Sequence, residues 1–224
     1  MTARTLVVLV GDHVAGELRA DRSGRLTFTY GDQHRHRADA TPLSVSMPLA
    51  VAEHGDATVR PWLWGLLPDS TAVLERWARR YSTSAASPFG LLAAPPGRDC
   101  PGAVRFVPPE ELDEALARPG QVEWLSEDDV AGALRALRTD GTTWLGPGFT
   151  GRFSLAGAQA KTALLHQDGR WGRPSGSAAT SHILKPAIAG FDDHDLNEHL
   201  CLRAAAHAGL LVARSEIRAF GDKR

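Results

Sequence analysis

The chain has 224 residues, 43% of them hydrophobic and 23% charged, a composition that fits one or two globular domains rather than a disordered or membrane protein. With 25 Lys and Arg against 26 Asp and Glu, the formal net charge of -1 supplies no global positive field, so direct DNA binding by this chain is not expected. No apolar run approaches the roughly 18 residues of a membrane-spanning helix, the run 6–10 is too short for a signal-peptide core, and two cysteines, Cys100 and Cys201, are too few for a disulfide framework; a soluble protein of the reducing cytoplasm is expected.

Residues 1–30 alternate short β-favouring runs with the turn signals Gly11-Asp12 and Asp21 to Gly24, the pattern of an antiparallel meander. The run 41–49, TPLSVSMPL, is bracketed by prolines and reads as an irregular packed loop. His34 and His36 fall in a charged turn, and Trp62 and Trp64 are expected in the core of the first unit. After the breaker Pro68-Asp69-Ser70, Val73, Leu74 and Trp77 recur at helical spacing over residues 71–81. A proline-rich stretch leads to a strand over 104–107.

Ser126 and Asp129 form a capping-box pattern that opens a helix with Val130, Leu134 and Leu137 on one face. The turn-rich residues 142–151 suggest a boundary, which divides the chain into 1–141 and 150–224. Asp168-Gly169 then predicts a hairpin, and residues 182–184 a short buried strand ending at Lys185-Pro186. Residues 192–209 read as an amphipathic helix with Leu196, Leu200, Ala204 and Ala208 on one face, Asp192, Asp193 and Asp195 capping its start, and Gly209 as its stop. Residues 215–222 begin a further hairpin.

Residues 154–162, SLAGAQAKT, place small side chains and backbone amides between two strand-like runs, as a phosphate-covering loop requires, although a plain hairpin of small residues has the same composition. Lys185 ends the strand HILK, and Glu198 follows 13 residues later on the helix. A strand lysine aimed at phosphates and a helical carboxylate that holds it extended form one mechanical unit; two separately solvated charges are the alternative. His194 and His199 lack a third ligand, so no metal site is expected.

The segments LPDS, CPGAV, SLAGAQAKTALL, PSGSAATSHILKP and NEHLCLRAAAHAGL follow one another in an order that resembles the HipA family of serine/threonine kinase toxins over essentially the whole chain. The resemblance implies an α+β fold, with an N-terminal β-meander and helix subdomain followed by a partial kinase-like N-lobe of antiparallel sheet plus helix. It implies ATP, with Mg in the complete kinase, as cofactor. Ala156, Gly157, Ala158, Gln159, Ala160, Lys161 and Lys185 would bind the nucleotide, Glu198 would position the lysine, and Ser154 would be the autophosphorylated serine whose added charge disarms the site. Implied partners are a HipB-like antitoxin and, as substrate, an aminoacyl-tRNA synthetase.

The family supplies its acceptor-side and metal-binding carboxylates from a C-terminal lobe, for which these residues offer no counterpart. No catalytic residue is therefore assigned here, and residues 1–224 alone are expected to be inactive. A module that binds an antitoxin or a partner kinase without catalysis is the competing expectation.

Overall fold

The computed structural model describes residues 4–100, 103–117, 120–139, 159–175, 178–188 and 190–221. The chain divides into two compact units, the first over the described residues of 4–121 and the second over those of 122–139, 159–174 and 180–221. The turn-rich stretch 142–151 that suggested a boundary lies outside the described residues.

The first unit is built on strands β1 (Arg4–Val10), β2 (His13–Ala20), β3 (Leu26–Tyr30), β4 (Glu53–Gly55) and β5 (Val104–Val107), joined in the order β4-β3-β2-β1-β5 with every neighbouring pair antiparallel. The β1–β2–β3 meander follows from its turns: Gly11 takes a positive φ, and the Asp21 carboxylate accepts hydrogen bonds from the backbone amides of Ser23 and Arg25. Leu6, Leu18 and Phe28 stand opposite one another across three strands and are buried, as period-2 alternation requires.

Helices α1 (Asp32–Arg35), α2 (Asp56–Gly65), α3 (Thr71–Arg80), α4 (Pro88–Ala93) and α5 (Leu112–Ala117) complete the unit. Leu63 of α2 is fully buried, while Trp62 is only half-buried, its ring 6.1 Å from Phe28 and 5.8 Å from Phe106. Trp64 is likewise half-buried, so the two tryptophans border the core and the aliphatic side chains fill it. The opposite face of the sheet, at Val7, Leu9 and Val107, is covered by Leu112 and Ala115 of α5. The turn expected to carry His34 and His36 is the helical turn α1, and its His34 is buried and stacked on Tyr30.

The second unit contains β6 (Gln121–Leu125), α6 (Glu127–Thr139), β7 (Thr162–Gln167), β8 (Arg170–Ser175), β9 (His182–Leu184) and α7 (His194–His207), with sheet order β6-β8-β7-β9. Asp168 and Gly169 close the β7–β8 hairpin with φ of 52° and 74°, the two left-handed residues of a type I′ turn, and place His166 opposite Trp171. Val130 and Ala131 of α6 pack with Leu164, Trp171 and Phe220 to form this unit's core.

Two expectations fail here. β9 is an edge strand rather than a buried one, with His182 exposed and Ile183 58% exposed. Helix α7 has no buried residue among those described; Leu200 is 56% exposed, and Ala204 and Ala208 are open to solvent. The expected capping at its start is also partial: Asp195 lies in the first turn, but Asp193 takes a left-handed φ of 51° and makes no side-chain cap hydrogen bond. Its end is as expected, since Gly209 donates to Ala206 O and Leu210 to Ala205 O in a Schellman arrangement.

Candidate functional site

Strand β9 pairs with β7 antiparallel, with Thr162 opposite Leu184, Ala163 opposite Ile183 and Leu164 opposite His182. Lys185 leaves the end of β9, and Pro186, which has no amide hydrogen to continue the ladder, stops the strand directly after it. The chain then reaches α7, where Glu198 accepts a hydrogen bond from the Lys185 ammonium in an ion pair. Of the two alternatives that the sequence left open, the structure shows the pair, which the family resemblance implied.

The Lys185 and Glu198 side chains are 34% and 35% exposed, so water screens their attraction and the pair contributes little to global stability. Its effect is geometric. A free lysine stem samples many rotamers, and the carboxylate selects the one that carries the ammonium across from strand to helix.

Lys161 immediately precedes β7, as Lys185 immediately follows β9, so the antiparallel register sets both lysines at the same end of the pair, one step beyond Thr162 and Leu184. Lys161 is only 8% exposed, and its Nζ donates to Gln159 O at 3.2 Å. That burial was not legible in the sequence, where Lys161 was a nucleotide-binding candidate at the end of a small-residue loop. Gln159 and Ala160 are half-buried beside it. Ser154, Ala156, Gly157 and Ala158 lie outside the described residues.

The remaining titratable groups offer little competing chemistry. Burial pushes the Cys100 thiol up, away from the reactive thiolate, and Cys201 is exposed; both are free. Among the described residues no group of three His, Cys, Asp or Glu side chains is placed to hold a metal ion, and no helix is long and apolar enough to cross a membrane.

Residues 6–107 match the HipA N-terminal domain, and residues 153–224 match the HipA-like C-terminal domain. The chain belongs to the HipA family. It is 36% identical over 219 residues to Y4mE of Sinorhizobium fredii, a protein designated a kinase, a match that covers 97% of this chain and 51% of that protein. It is 28% identical over 227 residues to the serine/threonine-protein kinase toxin HipA of Shewanella oneidensis, across 98% of this chain and 48% of the toxin. A solved Shewanella oneidensis complex of HipA, HipB and operator DNA contains a chain that superposes with a TM-score of 0.73 at 25% identity, covering 97% of this chain and 48% of that one. This HipA-family chain thus spans about half the length of the curated relatives it matches.

Proposed function

We propose that this chain is the nucleotide-holding half of a HipA-type serine/threonine kinase toxin of a toxin–antitoxin system, and that Lys185 and Lys161 bind the phosphates of ATP. The observation that carries this reading is the Lys185–Glu198 pair, which joins the end of β9 to α7. A phosphate-binding lysine works only if its ammonium is held where the α and β phosphates arrive, and a carboxylate on the adjacent helix is the means of holding it.

Lys161 supports the reading by a second route. The register sets it at the same end of the β7–β9 pair as Lys185, and a polyanion gains from each ammonium group it meets there. ATP supplies three phosphates of that charge. The residues present therefore fit the lysine side of a nucleotide site. Mg, which would neutralise phosphate charge in the complete kinase, would be held by carboxylates of a C-terminal lobe.

In the complete kinase Ala156, Gly157, Ala158, Gln159 and Ala160 would cover the phosphates, and phosphorylation of Ser154 would set about two negative charges beside them and repel the nucleotide. The phosphate acceptor would be a translation component such as an aminoacyl-tRNA synthetase. A HipB-like antitoxin would be the neutralising partner, a reading supported by the assembly in which the similar Shewanella chain was solved.

Titration calorimetry of ATP into the full-length protein and its Lys185→Ala and Glu198→Ala variants tests the reading. Loss of a charge-assisted contact to phosphate predicts affinity about ten-fold weaker or worse for Lys185→Ala, with a smaller loss for Glu198→Ala, where the ammonium survives but is no longer held. Equal affinities in all three proteins would overturn it and leave a binding module without a nucleotide.

A further inference from the structure

We infer that His199 and Ser215 are positioning residues for the nucleotide lysine, acting on it through Glu198. The inference rests on the nucleotide reading of Lys185. Its starting point is that α7, the helix that presents Glu198, has no buried residue among those described. Burial normally fixes a helix in translation and in rotation about its axis, so within residues 1–224 the polar ties of α7 carry more of that task.

Among the described residues, α7 makes two polar side-chain ties to other segments. One is Glu198 to Lys185. The other comes from the next residue, His199, whose Nδ1 lies 2.9 Å from Ser215 Oγ in a partly buried hydrogen bond. Ser215 belongs to the irregular run that follows the helix, and that run is anchored. Phe220 is buried in the second unit's core, its ring 5.7 Å from that of Trp171, while the Arg218 guanidinium packs 5.5 Å over Trp171 and pairs with Glu127 of α6 at 3.3 Å.

A continuous physical route therefore runs from the core through Phe220 and Arg218 to Ser215, across to His199, and along one peptide unit to Glu198. Among the described residues, the Glu198–Lys185 pair is the polar side-chain tie of α7 to another segment that remains without the His199–Ser215 bond, and that tie moves with the lysine it is meant to hold. A displacement on the order of 1 Å is enough to spoil a preorganised binding geometry.

The test compares the full-length protein with His199→Ala, Ser215→Ala, the double variant and His199→Asn, whose side-chain amide can occupy the position of Nδ1 and keep the bond to Ser215. Amide hydrogen exchange over 194–207 should quicken about five-fold in each alanine variant, the worth of one hydrogen bond, with no further change in the double variant. ATP affinity should fall in the same variants although Lys185 is intact, and His199→Asn should restore both readouts. If wild type binds ATP and Lys185→Ala abolishes binding, but exchange and affinity are unchanged in His199→Ala and Ser215→Ala, the positioning role alone is overturned. If wild type binds no ATP, the nucleotide reading falls and takes this role with it.

Discussion

At the start of α6 two side chains satisfy each other's backbone. The Ser126 hydroxyl accepts from the Asp129 amide at 3.1 Å, and the Asp129 carboxylate accepts from the Ser126 amide at 2.9 Å and from the Ser126 hydroxyl at 2.6 Å. The hydroxyl first and the amide second hold the Asp129 pKa below its ordinary 3.8. A depressed carboxylate contributes stability that is present above the unfolded pKa and lost as pH falls through the folded one, so this cap should fail only below about pH 4. In Ser126→Ala, NMR titration should show the Asp129 pKa rising toward 3.8 and the first turn of α6 exchanging faster; an unmoved titration would mean that the cap is not formed in solution. This residue pair was legible because both members lie within one turn. The Lys185–Glu198 pair was legible only in part: the strand lysine and helix carboxylate are visible locally, but two separately solvated charges fitted the same spacing, and the family resemblance favoured the pair. The burial of Lys161 and the His199–Ser215 bond were not legible, since each depends on which strand or segment lies alongside, and no local spacing encodes that.

Among the elements, the β7–β8 hairpin sets the register of the second sheet and so the face on which Trp171 meets Leu164 and Phe220. Gly169 holds a φ of 74°, where a Cβ is strained whatever the free space. Gly169→Ala should destabilise the unit by about 1–2 kcal/mol, the usual cost of a left-handed residue with a side chain, and lower its thermal midpoint. An unchanged midpoint would show that the hairpin register is set elsewhere. The same turn was readable from Asp-Gly alone, as was the β1–β2–β3 meander from its turn residues. Helix α7 was harder to read: Leu196, Leu200, Ala204 and Ala208 recur at helical spacing, but two of the four are alanines with little apolar area to bury. The three-residue strands are subject to the same limit. The run HIL is apolar enough for a core strand, yet sheet order puts it at an edge, and edge position is a property of the assembled sheet. The short elements α1, β4, α5 and β6 carry too few residues for any periodicity to emerge.

On the scale of the molecule, composition and charge set limits only, and the family resemblance carried the functional reading that periodicity could not. Each of the two units has buried apolar side chains of its own, Phe28, Leu63 and Phe106 in the first and Val130, Leu164 and Trp171 in the second, and the second carries the paired lysine. Holding phosphates and transferring one of them are separable tasks. The first needs fixed cations, the part proposed for Lys185 and Lys161 at one end of β7 and β9. The second needs a carboxylate beside the acceptor hydroxyl and carboxylates on Mg, which the family resemblance assigns to a C-terminal lobe. Residues 1–224 by themselves should therefore bind ATP weakly, with a Lys185→Ala sensitivity, and transfer no labelled phosphate to a synthetase or to Ser154. A protein carrying in addition the portion that extends the Sinorhizobium fredii and Shewanella oneidensis relatives to about twice this length should do both. Time-dependent incorporation of labelled phosphate by residues 1–224, lost in Lys185→Ala, would show that the second task is also performed within these two units.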